Sequence, residues 1–228
     1  MFLHDLELIN ELFYCDFVPA EGMDALWSEG WRHFGSQFFR YNFGIYNEEI
    51  RRVLPLRIRL ADFTLSKAQR RILRRNEDVH VEIVPIEITD AAVELFHRHK
   101  LRFDHGIPES IYDFLSPQPA TLPCEAKEVR VSLGGRLLAA SYFDLGKNST
   151  SGIYGMFDPD ESKRSLGIFT MLKEIQFATE RGKQFYYLGY AYKGESFYDY
   201  KKRFRGTESF DWNDNWTRFD PLELPAPF

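Results

Sequence analysis

Chemistry in this chain could be assembled at two tyrosine-bearing turns and one glycine-containing helix start. Tyr187-Leu188-Gly189-Tyr190 closes an apolar stretch from Gln184, and Tyr200-Lys201 follows just ahead of Arg203-Phe204-Arg205. Phenol groups at Tyr190 and Tyr200 could orient a carbonyl compound or donate to a developing oxyanion, or they could be ordinary core tyrosines. Gly189 could let the backbone approach a ligand, or it could mark a simple strand bulge. Ser165-Leu166-Gly167 opens an amphipathic stretch, so its backbone N–H groups and the positive end of a helix dipole suit an anion; an ordinary capped helix gives the same pattern. Cys15, Cys124 and Ser165 have no histidine at motif spacing. Covalent catalysis is therefore not expected. Asp144 and Asp158 are candidates for holding an ammonium group, although Asp158-Pro159 also reads as a turn. His97 and His99, two apart on a helix, do not share a face and are expected at the surface.

The second informative feature is charge. The 228 residues carry a formal net charge of −5. Between Arg51 and Arg75, however, stand Arg51, Arg52, Arg57, Arg59, Arg70, Arg71, Arg74, Arg75 and Lys67 against the single acid Asp62. That segment is net +8 and the rest of the chain −13. A cationic patch on an acidic background suits a polyanion partner, phosphate above all. Aromatic residues make up 16%, which reads either as an aromatic core or as a surface on which bases stack.

The elements that must position these groups follow from periodicity and caps. Residues 5–13 and 21–29 read as short helices. Leu56 to Leu60 alternates apolar and basic residues as a half-buried strand. Ser66 caps the basic helix KAQRRILRR. Val79 to Ile88 reads as a strand, Asp90 to about Lys100 as a helix, and Glu109 to Leu115 as another. Glu128–Leu133 and Arg136–Phe143 flank Gly134-Gly135 as a hairpin. Gly152 to Phe157 is a strand, Ser165 starts a long helix, Gln184 to Tyr190 is a buried strand and Phe197 to Phe204 a short helix. An irregular tail with Pro221, Pro225 and Pro227 ends the chain. The order implies an α/β fold with a mixed sheet: a GNAT-like acyltransferase core over 79–228 and a small basic subdomain over 1–78.

No apolar run reaches the roughly 20 residues that a bilayer crossing needs, and the N-terminal stretch is acidic where a signal peptide is basic. A soluble cytoplasmic protein is expected, monomeric in the sense that nothing suggests an obligate dimer. With two widely spaced cysteines, Cys15 and Cys124, neither a disulfide framework nor a thiolate metal site is expected.

Several of these motifs occur together in one family. Asp158-Pro159-Asp160, Ser165-Leu166-Gly167, Tyr187-Leu188-Gly189-Tyr190 and Tyr200-Lys201 before Arg203-Phe204-Arg205 resemble the C-terminal signature of the arginyl- and leucyl-tRNA–protein transferases. Upstream, Gly30-Trp31-Arg32-His33-Phe34-Gly35 is similar to that family's G-W/F-R-R-S-G. Pro55-Leu56-Arg57-Ile58 with Phe63, Ser66, Gln69-Arg70-Arg71 and Asn76 is similar to its P-x-R-V…F…S-x-x-Q-R-R…R-N block. The resemblance covers nearly the whole chain and implies an aminoacyltransferase. Its donor would be charged tRNA, with no other cofactor, and its acceptor the α-amine of a protein or peptide beginning with Asp or Glu. It also implies roles. Arg51, Arg52, Arg70, Arg71, Arg74 and Arg75 would grip tRNA phosphates, and Arg32, Lys201 or Arg205 would meet the acceptor's carboxylate. Tyr187, Gly189, Ser165 and Gly167 would line the substrate site, and Tyr190, Tyr200, Lys201 and Asp144 would serve the reaction. Two departures stand out. The family's cysteines before P-x-R-V, associated with zinc or an iron–sulfur cluster, are missing from Tyr41–Val53, and its proline after the basic-aromatic turn is Gly206. Metal binding of that kind is therefore not expected.

Other readings stay open from sequence alone. An acyl-CoA enzyme of the same fold would want a glycine-rich loop where Arg164-Ser165-Leu166-Gly167-Ile168-Phe169 has one glycine. A binding module without activity, or a tRNA-dependent transferase acting on a small amine, would share most of these motifs.

Overall fold

The computed structural model describes residues 8–104 and 106–219. In chain order it contains β1 (Asn10–Tyr14), α1 (Ala20–Ser28), β2 (Arg32–Phe34), β3 (Gln37–Tyr41), β4 (Phe43–Tyr46), β5 (Glu49–Arg59), α2 (Lys67–Arg75) and β6 (His80–Pro85). There follow α3 (Asp90–Lys100), β7 (Ala126–Leu133), β8 (Arg136–Leu145), β9 (Ser149–Phe157), α4 (Leu166–Glu180), β10 (Phe185–Tyr192), β11 (Thr207–Phe210) and β12 (Trp216–Arg218). A 3₁₀ segment, Phe197–Arg203, takes the place of the short helix expected there.

One nine-stranded mixed sheet organises the molecule, in the order β12-β11-β5-β10-β9-β8-β7-β6, with β4 also paired to β5. Every pairing in it is antiparallel except β9 with β10. Parallel neighbours need a crossover, and α4 supplies it, burying Leu166, Phe169, Leu172 and Ile175. Hairpin, strand, helix and parallel strand follow in the order expected from the sequence. α3 packs on the other stretch of sheet through Ala92, Leu95 and Phe96, against Tyr142 and Met156. A separate three-stranded sheet, β1-β3-β2, carries the N-terminal residues.

β9 and β10 pair over only three residues, Phe185–Tyr187 against Ser149–Ser151, and then diverge. The divergence has a local cause on each strand. Gly189 sits at φ +81°, where the register with β5 shifts between Tyr187 and Gly189; the left-handed conformation is cheap only for glycine. On β9, the register with β8 shifts as well, between Tyr142 and Phe143, opposite Gly152 and Tyr154. The opening between the strands is the cleft discussed below.

Several expectations are revised. The stretch expected as a helix over 5–13 is strand β1 where it is described, because Phe13 stacks on Phe38 across the β1–β3 ladder; tertiary pairing outweighs local helix preference. β5 lies between β10 and β11, inside the large sheet, so the boundary drawn at residue 78 does not divide two sheets. The C-terminal segment adds β11 and β12 to that sheet rather than trailing off; Pro221, Pro225 and Pro227 lie outside the described residues. His99 is 2% exposed, its Nδ1 against the Phe157 backbone at 3.1 Å, while His97 is exposed. Burial lowers the His99 pKa to about 4. Ser165 stands at φ +56° and gives α4 no side-chain cap. Ser66 caps α2 as expected, in a full capping box with Gln69. Gly206, at φ +77°, has no room for proline, whose ring holds φ near −65°; a Cβ there would already lie 2.9 Å from the Arg59 carbonyl oxygen.

Candidate active site

The cleft between β9 and β10 collects side chains from four parts of the chain. Arg32, on β2, reaches in from the small sheet and donates from both Nη atoms, to Ser151 Oγ and to the Gly152 carbonyl on β9. Lys201, from the 3₁₀ segment, donates from Nζ to the Tyr190 carbonyl at 3.0 Å. Both cations abut Gly189: a Cβ there would lie 3.4 Å from Lys201 Nζ and 3.6 Å from Arg32 Cζ. Any larger residue would fill the space that these groups share, beyond the strain of its positive φ.

Neither Arg32 nor Lys201 forms an ion pair with an acid among the described residues. Burial together with the Arg32 charge pulls the Lys201 pKa down to about 7, and burial likewise lowers that of Arg32. Two half-buried cations side by side, hydrogen-bonded only to neutral oxygens, favour the company of an anion.

Under the cleft lies a buried carboxyl. Glu174, on α4, accepts hydrogen bonds from Ser141 Oγ and from Tyr186 Oη at 2.5 Å. The Tyr186 hydroxyl fits only because residue 152 is glycine, since a Cβ would approach it to 2.8 Å. Burial raises the Glu174 pKa to about 7, against the two hydrogen bonds that lower it. Between its ordinary 4.5 and 7 the unfolded chain has lost this proton while the folded protein retains it, so stability falls as pH rises through that window. Glu174→Gln cannot ionise. Its melting temperature is expected to gain a few degrees on that of the natural protein between pH 5 and pH 8, as read by thermal unfolding at the two values.

The remaining candidates from the sequence are placed as follows. Tyr190 donates to the Gly30 carbonyl at 2.6 Å and packs edge-on against Tyr41, clasping the small sheet to β10 beside Arg32. Tyr200 is half-buried, and burial raises its pKa to about 12, with Tyr198 and Glu174 adding to the effect. Tyr187 packs into a core with Trp27 and Phe38, and receives Arg57 Nη1 at 3.4 Å. Asp144 is 1% exposed, with its carboxylate 2.8 Å from His33 Nε2. Asp158 is fully buried between Arg98 and Arg136 and accepts from the Asp160 N–H, as a turn aspartate does. Arg205 is exposed and donates to Thr64 Oγ1 at 3.1 Å rather than entering the cleft. Gly167 packs against the Phe157 ring at the start of α4. Arg51 lies over Tyr46 and pairs with Glu49, and Arg52 donates to the Asp211 carbonyl; both flank the end of β10. Ser151, Gly152, Glu174 and Tyr186 escape a reading of the sequence. Their only signal is a pair of small residues and a glutamate on the buried face of a helix, which is too common to single out.

Arg70, Arg71, Arg74 and Arg75 are exposed on α2 and make no ion pair with an acid among the described residues. The last turn of α2 meets the start of α4: Arg75 donates to the Lys163 carbonyl, and Asn76 Nδ2 to that of Arg164 at 2.9 Å.

The model of the family described as "Arginine-tRNA-protein transferase, C terminus" matches residues 91–211, which hold Ser151, Gly152, Glu174, Gly189 and Lys201. The chain belongs to this family. It is an aminoacyltransferase. An "Aspartate/glutamate leucyltransferase" of Xanthomonas euvesicatoria pv. vesicatoria (strain 85-10) is 34% identical over 170 residues, 71% of this chain and 67% of that protein. A protein of the same description from Stenotrophomonas maltophilia (strain R551-3) is 32% identical over 180 residues, 73% of this chain and 69% of that one. Among solved structures, FemX covers 77% of this chain and 61% of its own at 12% identity, with a TM-score of 0.46, a likeness too distant to bear on function. Within the transferase, the Arg32 segment and the Tyr187–Tyr190 segment meet at Gly189.

Proposed function

We propose that the transferase moves an amino acid, leucine or arginine, from charged tRNA to the α-amine of a protein or peptide beginning with Asp or Glu. The observation that carries this reading is the pair Arg32 and Lys201, two cleft cations that have no carboxylate partner among the described residues. The acceptor's side-chain carboxylate would supply one, with the planar Arg32 guanidinium suited to grip both oxygens. The description of the relatives as aspartate/glutamate leucyltransferases supports the same acceptor class.

The chemistry asks little beyond positioning. An α-amine of pKa about 7.7–8.0 is partly neutral near pH 7. Its nitrogen attacks the ester carbonyl carbon on the terminal ribose; the N–C bond forms, the C–O bond breaks, and the proton lost by nitrogen ends on the departing ribose hydroxyl. Tyr200, protonated at any physiological pH, is the phenol available to donate to the oxyanion. α2 would hold the donor through its phosphates, and Arg51 and Arg52 would support it beside β10.

The test is a transfer assay with a panel of charged tRNAs against peptides beginning with Asp, Glu, Asn or Lys. Transfer to the acidic pair alone supports the proposal; transfer to none of them, or to all alike, overturns it. A pH dependence follows from Lys201. As pH rises through about 7 its ammonium loses a proton and the cleft loses one positive charge, so KM for an Asp peptide should climb between pH 6 and pH 8.5. In Lys201→Met the KM should be high at both values, with the rise gone.

A further inference from the structure

We propose that His33, Cys124 and Asp144 form a binding site for a divalent cation of the zinc type. One nitrogen of His33, the sulfur of Cys124 and a carboxylate oxygen of Asp144 lie within 4.8 Å of one another. All three residues are buried, at 4%, 2% and 1% exposure. They come from three separate segments: β2, the loop after Pro123, and the end of β8.

The orientation of His33 is that of a ligand. Its Nδ1 lies 2.9 Å from the Gly35 carbonyl, while Nε2 faces the other two donors. Metal-binding histidines characteristically spend their second nitrogen on a backbone carbonyl or carboxylate in this way, which fixes tautomer and ring angle. Both ring nitrogens of His33 meet acceptor oxygens, so without a cation a hydrogen bond joins Nε2 to Asp144. A cation would take that place. It displaces the proton of that hydrogen bond and the one on the Cys124 thiol, leaving neutral imidazole, carboxylate and thiolate around a 2+ charge. The buried site with its metal is then neutral, which avoids the penalty for an unbalanced buried charge. In the metal-free cluster, burial and the neighbouring Asp144 push the Cys124 thiol pKa up.

The donor set selects the metal. A thiolate disfavours calcium and magnesium, which take oxygen ligands, whereas nitrogen, sulfur and oxygen together suit zinc. A narrow crevice lined by His33, Ser116, Pro123 and Asp144 adjoins the cluster. The site shares no residue with the cysteine positions missing from Tyr41–Val53. Its consequence for the cleft is mechanical: residue 33 is clamped to the large sheet, and Arg32 is its neighbour. The proposal does not depend on which amino acid is transferred.

The experiment strips the purified full chain with a chelator, confirms by circular dichroism that it is folded, and titrates it with Zn²⁺ and separately with Co²⁺. One equivalent of each should bind, and the cobalt form should show thiolate-to-metal charge-transfer absorption in the near ultraviolet. Cys124→Ser should abolish that absorption and weaken zinc binding at least tenfold, and His33→Gln should weaken it similarly; Cys15→Ser should leave both unchanged. A folded natural chain that takes up neither metal, or a charge-transfer band that survives Cys124→Ser, overturns the proposal. Cobalt binding to the natural chain needs no substitution, so a misfolded variant does not spare it.

Discussion

Arg32→Ala is expected to lower kcat/KM for transfer to an Asp-initiated peptide by roughly 30- to several-thousand-fold, the range set by about 2–5 kcal/mol for stripping one partner from a desolvated charge pair. The loss should be selective. The same variant should transfer to an Asn-initiated peptide about as poorly as the natural protein does, because that acceptor brings no carboxylate for Arg32 to hold. Equal proportional losses on both peptides would mean that Arg32 matters only through its bonds to Ser151 and Gly152, as a brace for the cleft. Arg32→Lys should recover part of the activity, since the charge returns without the two-pronged geometry. Thermal unfolding of each variant separates lost recognition from lost structure.

The second large effect is expected on the opposite substrate. Changing Arg70, Arg71, Arg74 and Arg75 together to Glu should weaken binding of charged tRNA by about 100-fold or more near 0.15 M salt. It should also flatten the slope of log affinity against log salt by about 3, at roughly 0.7–0.9 for each phosphate no longer neutralised. The four side chains are exposed and make no ion pair with an acid among the described residues, so folding should survive the change; Ser66 and Gln69, which cap the helix, are untouched. Binding measured by filter retention at several salt concentrations decides the matter, and an unchanged slope in a folded variant removes α2 from the RNA surface. kcat at saturating charged tRNA should change little, which separates this variant from Arg32→Ala.

Both predictions rest on residues that are visible in the sequence, and the reason differs in each case. α2 can be read because capping and charge are local: Ser66, Gln69 and the arginines lie within ten residues of one another, and their exposure follows from helical periodicity. Lys201, Gly189 and Arg32 can be named through family motifs, yet nothing in their spacing says that residues 32, 189 and 201 touch. Other assignments need the backbone. Asp144 and Arg205 have the right chemical types for a substrate site, but the fold pairs one with His33 and turns the other toward Thr64. Tyr187 and Tyr190 lie on one strand three residues apart, and the bulge at Gly189 decides which way each points. Residues 10–14 mislead outright, since a five-residue strand held by pairing to β3 carries no strong pattern of its own.

What the sequence determined alone was the set of parts: a basic capped helix, a mixed α/β core, two cysteines too far apart in the chain for a recognised motif, and the family signatures. Tertiary structure decided which parts meet. It placed Arg32 and Lys201 against one glycine without a carboxylate between them, put Glu174 and Tyr186 beneath that point, and drew Cys124 to His33 and Asp144. The physical reason is range. Caps, periodicity and charge density act over a few residues and are written along the chain, whereas the burial that makes two neighbouring cations favour an anion exists only once strands more than a hundred residues apart have closed around them.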